Sequence, residues 1–450
     1  MKDVTLDADT LETNATKLRS ALTTLQNEDG SFSWWPNMPG NVYITLCVAH
    51  NLVRLDALIG VQQQNSQIIT RAMNFLGRII NREAEILKKY EKEHKSKLLP
   101  SEVALDYLYL QSMNKVAGVS VDKGDVKYLL SLIKNRSKDL TIYGKANIAV
   151  AFAKSKIGGD MKTAQELMES ALQYSVATEE MGRYYDTQKA LYSWRDYKIP
   201  TETATIEAVL SVRPEDKQTV AEMRQWLLNE KRTQQWDTPI NTASAIFAFL
   251  SGNLASLNDV ADPVKISLDK KNFNTDGEKK GYFKVTEEGR YNQLTFDKSA
   301  DGMSWGAVFT EALQPTVDVE NVDANQLSVK REIVDAEGKP VTEFAVGQKV
   351  FVRLTITAGR DYDFIEVVDN RPACFEPANQ LPGYRGGYYA TPGDKKTSFY
   401  FNQMPKGTRV IETEYFIDRA GTYQSGLATV RCAYAPEFSA REKAFTVNVK

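Results

Sequence analysis

Residues 26–55 read QNEDGSFSWWPNMPGNVYITLCVAHNLVRL. A polar turn, Asn27-Glu28-Asp29-Gly30, leads to two adjacent tryptophans, Trp34 and Trp35, and then to a break rich in proline and glycine. Pro36 and Pro39 exclude helix between them, and Gly30 and Gly40 mark tight backbone. Helix resumes near Val42, with Ile44, Cys47, Val48 and Leu52 along one side. Two tryptophans left in water are costly; two that line a concavity or plug a helix-to-helix connection are not. The structural reading expects at least one indole mostly buried at the entry to an inner helix. Trp35→Ala would then cost about 3–5 kcal/mol.

The same pattern recurs. YITLCVAHNLVRL, ETATIEAVLSV and NTASAIFAFLSG each place a small hydroxyl residue and an alanine or cysteine ahead of an apolar helix. Aromatic-rich connections precede them: Trp34-Trp35 with Tyr43, then Tyr184-Tyr185 with Trp194, then Trp236. Thr203 and Thr242 stand about one helical hairpin and its loops apart, so the chain reads as an array of similar units. Small residues let inner helices crowd together while the aromatics cover their ends. An α/α toroid fits this pattern, and an open helical solenoid would give a similar repeat. MKTAQELMESALQYSV carries an apolar stripe of Ala164, Leu167, Met168, Ala171 and Leu172, and GDVKYLLSLIKNRSKDL one of Val126, Leu129, Leu130 and Ile133. Ser101, after Pro100, is a helix start, and NREAEILKKYEKEHKSK is a solvated face.

Near residue 258 the pattern changes to short strands. DPVKISLDK, KGYFKVTEEG and NQLTFDKSA are separated by Gly, Asp and Asn. Beyond residue 325 the chain is almost entirely strand-like. GQKVFVRLTITAG alternates Val350, Val352, Leu354 and Ile356 against Phe351, Arg353, Thr355 and Thr357. AEGKP is a turn, GTRVIETEYFIDRAGTY a strand followed by a glycine turn, and AFTVNVK a closing strand with Phe445, Val447 and Val449 on one face. Strands of this size with turn signals indicate an antiparallel sandwich. The fold class is therefore multidomain α + β: a helical ring, a small β segment and a β-sandwich.

A chain of 450 residues with 42% hydrophobic and 25% charged content is ordinary globular protein of two to four domains. A formal net charge of −2 argues against nucleic acid as the main partner. No uninterrupted apolar run long enough to span a membrane is present, and the first residues carry no signal-peptide pattern. The three cysteines, Cys47, Cys374 and Cys432, form no zinc pattern. A Cys374–Cys432 bridge within one sheet domain and two buried thiols are both open, the thiols being favoured.

The order of elements, with DGSFSWWPNMPGNVYITLCVAHNLV and QQWDTPINTASAIFAFL, resembles the thioester-domain toroid of the alpha-2-macroglobulin superfamily, particularly its bacterial branch. DGMSWGAVFTEAL is similar to the segment that follows that toroid. LSVKREIVDAEGKPV, VGQKVFVRLTITAGRDYDFIEVVDNRPACFEPAN and YAPEF resemble the C-terminal macroglobulin domain, whose Asp-x-x-Pro-Ala-x-Phe-Glu-Pro turn is here Asp369 to Pro377. The resemblance implies three parts: a toroid over 1–257, N-terminally incomplete; a strand segment over 258–323, like the second half of a split CUB-like domain; and a macroglobulin sandwich over 324–450. It also implies a peptidase trap, peptidases and other macroglobulin domains as partners, and a periplasmic, envelope or extracellular location. The family's Cys-x-Glu-Gln thioester motif is not present: Cys47, Cys374 and Cys432 each lack the glutamine. The expectation is that the chain begins inside the toroid, past the place where that motif would sit.

No catalytic residue, cofactor site or metal site is nominated. His50, within an apolar helix, reads as a core or capping histidine, and His94 as surface charge. Asp7 to Thr10, within LDADT, faintly resembles the acidic motif of terpene cyclases but lacks its final aspartates and reads as a helix cap. The partner-facing or structural aromatics are Trp34, Trp35, Tyr43, Tyr184, Tyr185 and Trp236, with Tyr388 and Tyr389 in the Gly/Tyr loop GYRGGYYATPG. The leading functional expectation is a non-enzymatic macroglobulin-type protein. An enzyme on an α/α toroid, glycan-active or cyclase-like, and a surface binding or scaffold module are the alternatives.

Overall fold

The computed structural model describes residues 8–179, 181–185, 198–233, 236, 238–252, 264–273, 284–299, 306, 308–323 and 326–450. The chain divides into two compact units, one of Met1–Leu227 with Asp237–Trp305, the other of Leu228–Trp236 with Gly306–Lys450.

The first unit is mostly helical. Its helices are α1 (Ala8–Leu25), α2 (Val42–Ile59), α3 (Gln63–His94), α4 (Glu102–Met113), α5 (Lys123–Asn135), α6 (Ile142–Lys154), α7 (Met161–Leu172), α8 (Lys198–Val212), α9 (Lys217–Thr233, which runs across the division) and α10 (Pro239–Leu250). Side chains of Asn41, Ser101, Asp122, Thr141, Asp160 and Thr238 cap α2, α4, α5, α6, α7 and α10 by accepting backbone N–H groups of the first turn. Two kinds of helix occur. In α5 and α7 the expected stripes are the buried ones: Val126, Leu129, Leu130 and Ile133, and Ala164, Leu167, Met168 and Ala171, with Leu172 at the margin. In α4 and α6 most residues are buried, as in a helix surrounded by others.

The packing follows from this division. α2 packs on α4, α4 on α6, α6 on α8, α8 on α10, and α10 returns to α2. α3 lies against α2 and α4, and α7 against α6 and α8. The even-numbered helices therefore touch in a closed cycle, flanked by α3 and α7. Fully buried alanines, among them Ala49, Ala104, Ala146, Ala149, Ala204, Ala208, Ala245 and Ala248, let these backbones approach. The three repeated stretches of sequence are α2, α8 and α10, all members of the cycle. By length and composition α2 is apolar enough to cross a membrane, which the sequence reading did not anticipate. Its Thr45, Arg54 and Asp56 are buried against the protein, as in the core helix of a soluble domain.

One element in this region was not expected. A hairpin of β1 (Val176–Thr178) and β2 (Gly182–Tyr184) interrupts the helices. Gly182 sits at φ +80 with its Cα against the Glu222 carbonyl, where a Cβ would lie 2.2 Å from that oxygen. Further on, β3 (Lys265–Leu268), β4 (Lys271–Phe273) and β5 (Leu294–Asp297) form a small antiparallel sheet in the order β4-β3-β5. The strand expected at KGYFKVTEEG does not form over its described residues 284–289. Two glutamates and a glycine are poor strand formers and outweigh its single apolar alternation.

The second unit holds the sandwich. Its strands are β6 (Leu327–Val334), β7 (Lys349–Ala358), β8 (Tyr362–Asn370), β9 (Phe375–Pro377), β10 (Gly383–Arg385), β11 (Tyr388–Pro392), β12 (Lys396–Met404), β13 (Gly407–Ile417), β14 (Gly421–Gln424), β15 (Ala428–Cys432), β16 (Ala435–Glu442) and β17 (Thr446–Val449). One sheet runs β6-β7-β13-β9 and the other β10-β11-β12-β8-β15-β16, with β14-β17 as a separate ribbon. The alternation read in β7 holds: Val350, Val352, Leu354 and Ile356 are buried. Val367, Phe399, Ile411, Tyr415 and Val430 are also buried. Cys374 and Cys432 are buried free thiols rather than a bridge, and burial pushes both above the ordinary thiol value.

Candidate functional site

Three places concentrate unusual side chains. The first is the loop that opened the sequence reading. An antiparallel bridge between Phe32 and Asn41 closes it, with Asn41 N donating to Phe32 O at 2.7 Å. Phe32 is buried, and its backbone N–H donates to Thr45 Oγ1 at 2.9 Å in the first turn of α2. Arg71 and Arg78, from α3, donate to the carbonyls of Asn27, Glu28 and Asp29. Ser31 donates to Asp29 through both N–H and Oγ. Gly30, at φ +92, lies so close to Arg71 that a Cβ would sit 2.2 Å from its carbonyl oxygen. The turn is thus fixed from several sides.

Trp34 and Trp35 project from this frame. Their exposures are 56% and 65%, so neither indole is mostly buried and the structural expectation for them is overturned. The reason is that Phe32 already fills the position beneath the loop. Trp34 lies 6.3 Å from Trp35 and 6.0 Å from Tyr43, centroid to centroid. The other nominated aromatics of this region behave differently. Tyr185 is buried, its hydroxyl 3.0 Å from Thr205 Oγ1 in α8, and burial raises its pKa well above the phenol norm. Tyr184 stacks on the buried Trp226 at 6.1 Å. Trp236 is half-buried, with Lys231 Nζ 5.4 Å from its ring centroid. Trp194 and Asp7 lie outside the described residues.

The second place went unread in the sequence. Arg54 of α2 donates to Tyr109 Oη of α4 at 3.0 Å, to Ser244 Oγ of α10 at 3.2 Å and to Glu207 of α8 at 2.6 Å. Tyr109 also donates to Glu207. His50 stacks on Tyr109 at 5.0 Å. Burial works against the guanidinium's charge, but Glu207 and Tyr109 outweigh it and hold Arg54 above its ordinary pKa. Burial and the neighbouring Glu207 carboxylate push the Tyr109 phenol up, while Arg54 opposes them. The signal for this node was charge inside two apolar runs, Arg54 (with Asp56) in NLVRLDAL and Glu207 in TATIEAVL. All four partners are buried, so the cluster cross-links the cycle and offers no reacting surface.

The third place is in the sandwich. Asp369, at the end of β8, is paired at 2.8 Å with Arg331 of β6, so the pair ties the two sheets together. Arg331 also donates to Ser425 Oγ and to the carbonyls of Gly426 and Lys443. Burial raises the Asp369 carboxyl, with Arg331 and Arg371 pulling the other way. Arg371 in turn holds the carbonyls of Phe375, Gly393 and Asp394. Beside this framework lies a cleft of about 660 Å³ whose lining includes Arg385, Tyr388, Phe399, Glu412, Glu414 and Phe416. Tyr388 packs edge-on against Phe399, and Tyr389 is 44% exposed. Glu412 and Glu414 are already paired with Arg353 and Lys349, so the cleft holds no poised acid–base pair. Among the described residues no group of three or more His, Cys, Asp or Glu is placed to hold a metal ion. His94 is exposed and stacks on Tyr90 at 4.1 Å.

Residues 327–437 match the family described as Bacterial Alpha-2-macroglobulin MG10 domain. The C-terminal part of this chain matches the bacterial alpha-2-macroglobulin family. The MG10 match takes in β6, the Asp369–Pro377 turn and the Gly/Tyr hairpin, and with them the Arg331–Asp369 tie. In this turn Asp369 is tied to Arg331 of β6 while Arg371 holds backbone carbonyls, so buried charge fixes the reversal from one sheet to the other.

Among solved structures, trypsin-activated alpha-2-macroglobulin from Escherichia coli is 15% identical, with 99% of this chain and 30% of that one covered and a TM-score of 0.47. Escherichia coli alpha-2-macroglobulin activated by porcine elastase is also 15% identical, covering 99% and 39% with a TM-score of 0.43. The native Escherichia coli protein from domain MG7 to the C-terminus gives 15% identity, 99% and 69% coverage and a TM-score of 0.38. The chain therefore spans about a third of the length of the first two. No curated protein sequence matches.

Proposed function

We propose that this chain is the helical and MG10-containing portion of a non-enzymatic, macroglobulin-type peptidase trap of the bacterial envelope. The observation that carries the reading is the MG10 match over 327–437, with its turn built on the Arg331–Asp369 pair. The closed cycle of α2, α4, α6, α8 and α10 supports an α/α toroid as the helical unit. Domains over 1–257, 258–323 and 324–450 fit the changes in sequence pattern. The partners in this reading are peptidases and further macroglobulin domains. The chain itself acts as architecture: the buried polar node braces the ring, and its charges are spent on one another.

The test uses the protein in its full genomic reading frame, incubated with trypsin and resolved by size exclusion. A trap shields the captured peptidase from a large protein substrate while leaving a small chromogenic peptide accessible. Failure of trypsin, elastase and subtilisin alike to co-elute would sink the proposal. Methylamine treatment of the present chain should add no mass at Cys47, Cys374 or Cys432, because none carries the partner glutamine; a gain at any of them would show covalent capture chemistry within this chain.

A further inference from the structure

We propose that the Trp34–Trp35–Tyr43 face is a binding surface for a neutral, proline-rich peptide segment in the polyproline II conformation. The first observation is that the loop is built rigidly yet presents its largest side chains outward. Bridge, capping and arginine contacts fix the backbone on both sides of the tryptophans. Ordering the loop on binding then costs little, and pre-organisation is what lets a few aromatic side chains act as anchors.

The second observation is spacing. Trp34 is the shared member of the group, with steps of 6.3 Å to Trp35 and 6.0 Å to Tyr43. A polyproline II helix rises about 3.1 Å per residue, so residues two apart are about 6.2 Å apart along its axis. With three residues per turn, two of its three columns rest on a flat surface, and neighbours on that face include such pairs. Each pyrrolidine ring can then stack on one aromatic ring, the mode by which aromatic-lined surfaces take proline-rich segments.

Charge and hydrogen bonding agree. The stretch that carries the three rings, Gly30 to Val53, has no Asp, Glu, Lys or Arg, and the charges beside it, Asp29, Arg71 and Arg78, are engaged with the Asn27–Ser31 turn. Ser33 Oγ and the Asn41 side chain are committed within the protein, to Trp35 O and to the Ile44 N–H. The indole N–H groups of Trp34 and Trp35 have no acceptor among the described residues. They can donate to the carbonyls of a polyproline II segment, which makes no internal hydrogen bonds.

Decaproline titrated into the full chain, followed by calorimetry and by the indole N–H resonances, tests this. Saturable binding is expected, with the Trp34 and Trp35 indole signals shifting. Trp34→Ala and Trp35→Ala should each weaken binding roughly tenfold or more, with unchanged far-ultraviolet circular dichroism. Absence of saturation, indole shifts confined to other tryptophans, or full affinity in both variants would overturn the proposal. So would saturable binding of cellohexaose with none of decaproline, which would assign the surface to a neutral glycan.

Discussion

Replacing Glu207 by leucine should destabilise the helical unit by about 3–5 kcal/mol, because it leaves Arg54 as a buried cation with no anion. The structure gives the size. Arg54 and Glu207 are 2.6 Å apart with side-chain exposures of 9% and 4%, so neither charge is recovered by water when its partner goes. The remaining partners of Arg54, Tyr109 and Ser244, are neutral hydroxyls and do not compensate a full charge. Since a domain is held by only about 5–15 kcal/mol in total, the loss is a large fraction. The double variant Arg54→Met/Glu207→Leu removes both charges. Its main residual penalty is the Tyr109 hydroxyl left without its partners, about 1–3 kcal/mol. The double variant should therefore be more stable than Glu207→Leu alone, a strongly non-additive result for residues in contact. Urea unfolding followed by circular dichroism at the helical minimum measures all three. A cost under about 1 kcal/mol for Glu207→Leu, or a double variant as unstable as the two singles combined, would refute the picture of a buried charge node bracing the ring.

Trp34→Ala and Trp35→Ala should each change stability by no more than about 0.5 kcal/mol, the range of exposed substitutions; a loss of several kcal/mol in thermal melts would restore the structural reading. Arg331→Met should cost the sandwich about 3–5 kcal/mol by stranding Asp369, seen as early loss of the β signal in denaturant titration; a wild-type midpoint would count against the sheet-to-sheet tie. Asp160 caps α7 and pairs with Lys134, and these hydrogen bonds hold its carboxyl below the usual range. A carboxyl with a lowered folded pKa stabilises above its unfolded value of about 3.9 and loses that contribution as pH falls through the folded value. The melting-temperature advantage of wild type over Asp160→Asn should thus be present at neutral pH and shrink in strong acid; an advantage that grows on acidification would contradict the sign.

What could be read in the sequence depended on whether a signal was local. Alternation in β7, stripes in α5 and α7, and the helix start at Ser101 follow from rules spanning a few residues, and the structure has them. The β1–β2 hairpin was missed because its strands are three residues each and its reversal depends on Gly182 packing against Glu222, far away in sequence. The Arg54–Tyr109–Glu207 node joins residues up to 153 positions apart. Its charges looked like ordinary interruptions of apolar helices, and only closure of the cycle brings them together.

The repeat shows most clearly why the tryptophans were misjudged. In α2 the first-turn Thr45 accepts the N–H of Phe32; in α8 Thr205, about two turns into the helix, meets the hydroxyl of Tyr185. Both threonines also donate back to the carbonyl four residues earlier, Asn41 and Thr201. The device common to these two helices is therefore a threonine that ties the preceding loop to the helix, with one aromatic residue buried beside it. In the first loop that aromatic is Phe32, at 2% exposure, and in the second it is Tyr185, at 3%. The fold's need for an aromatic plug is met before the chain reaches Trp34. The two tryptophans are additional to it, and their exposure is not explained by packing. Large exposed rings on a fixed backbone favour association, which makes this loop the part of the helical unit where a partner should be sought first.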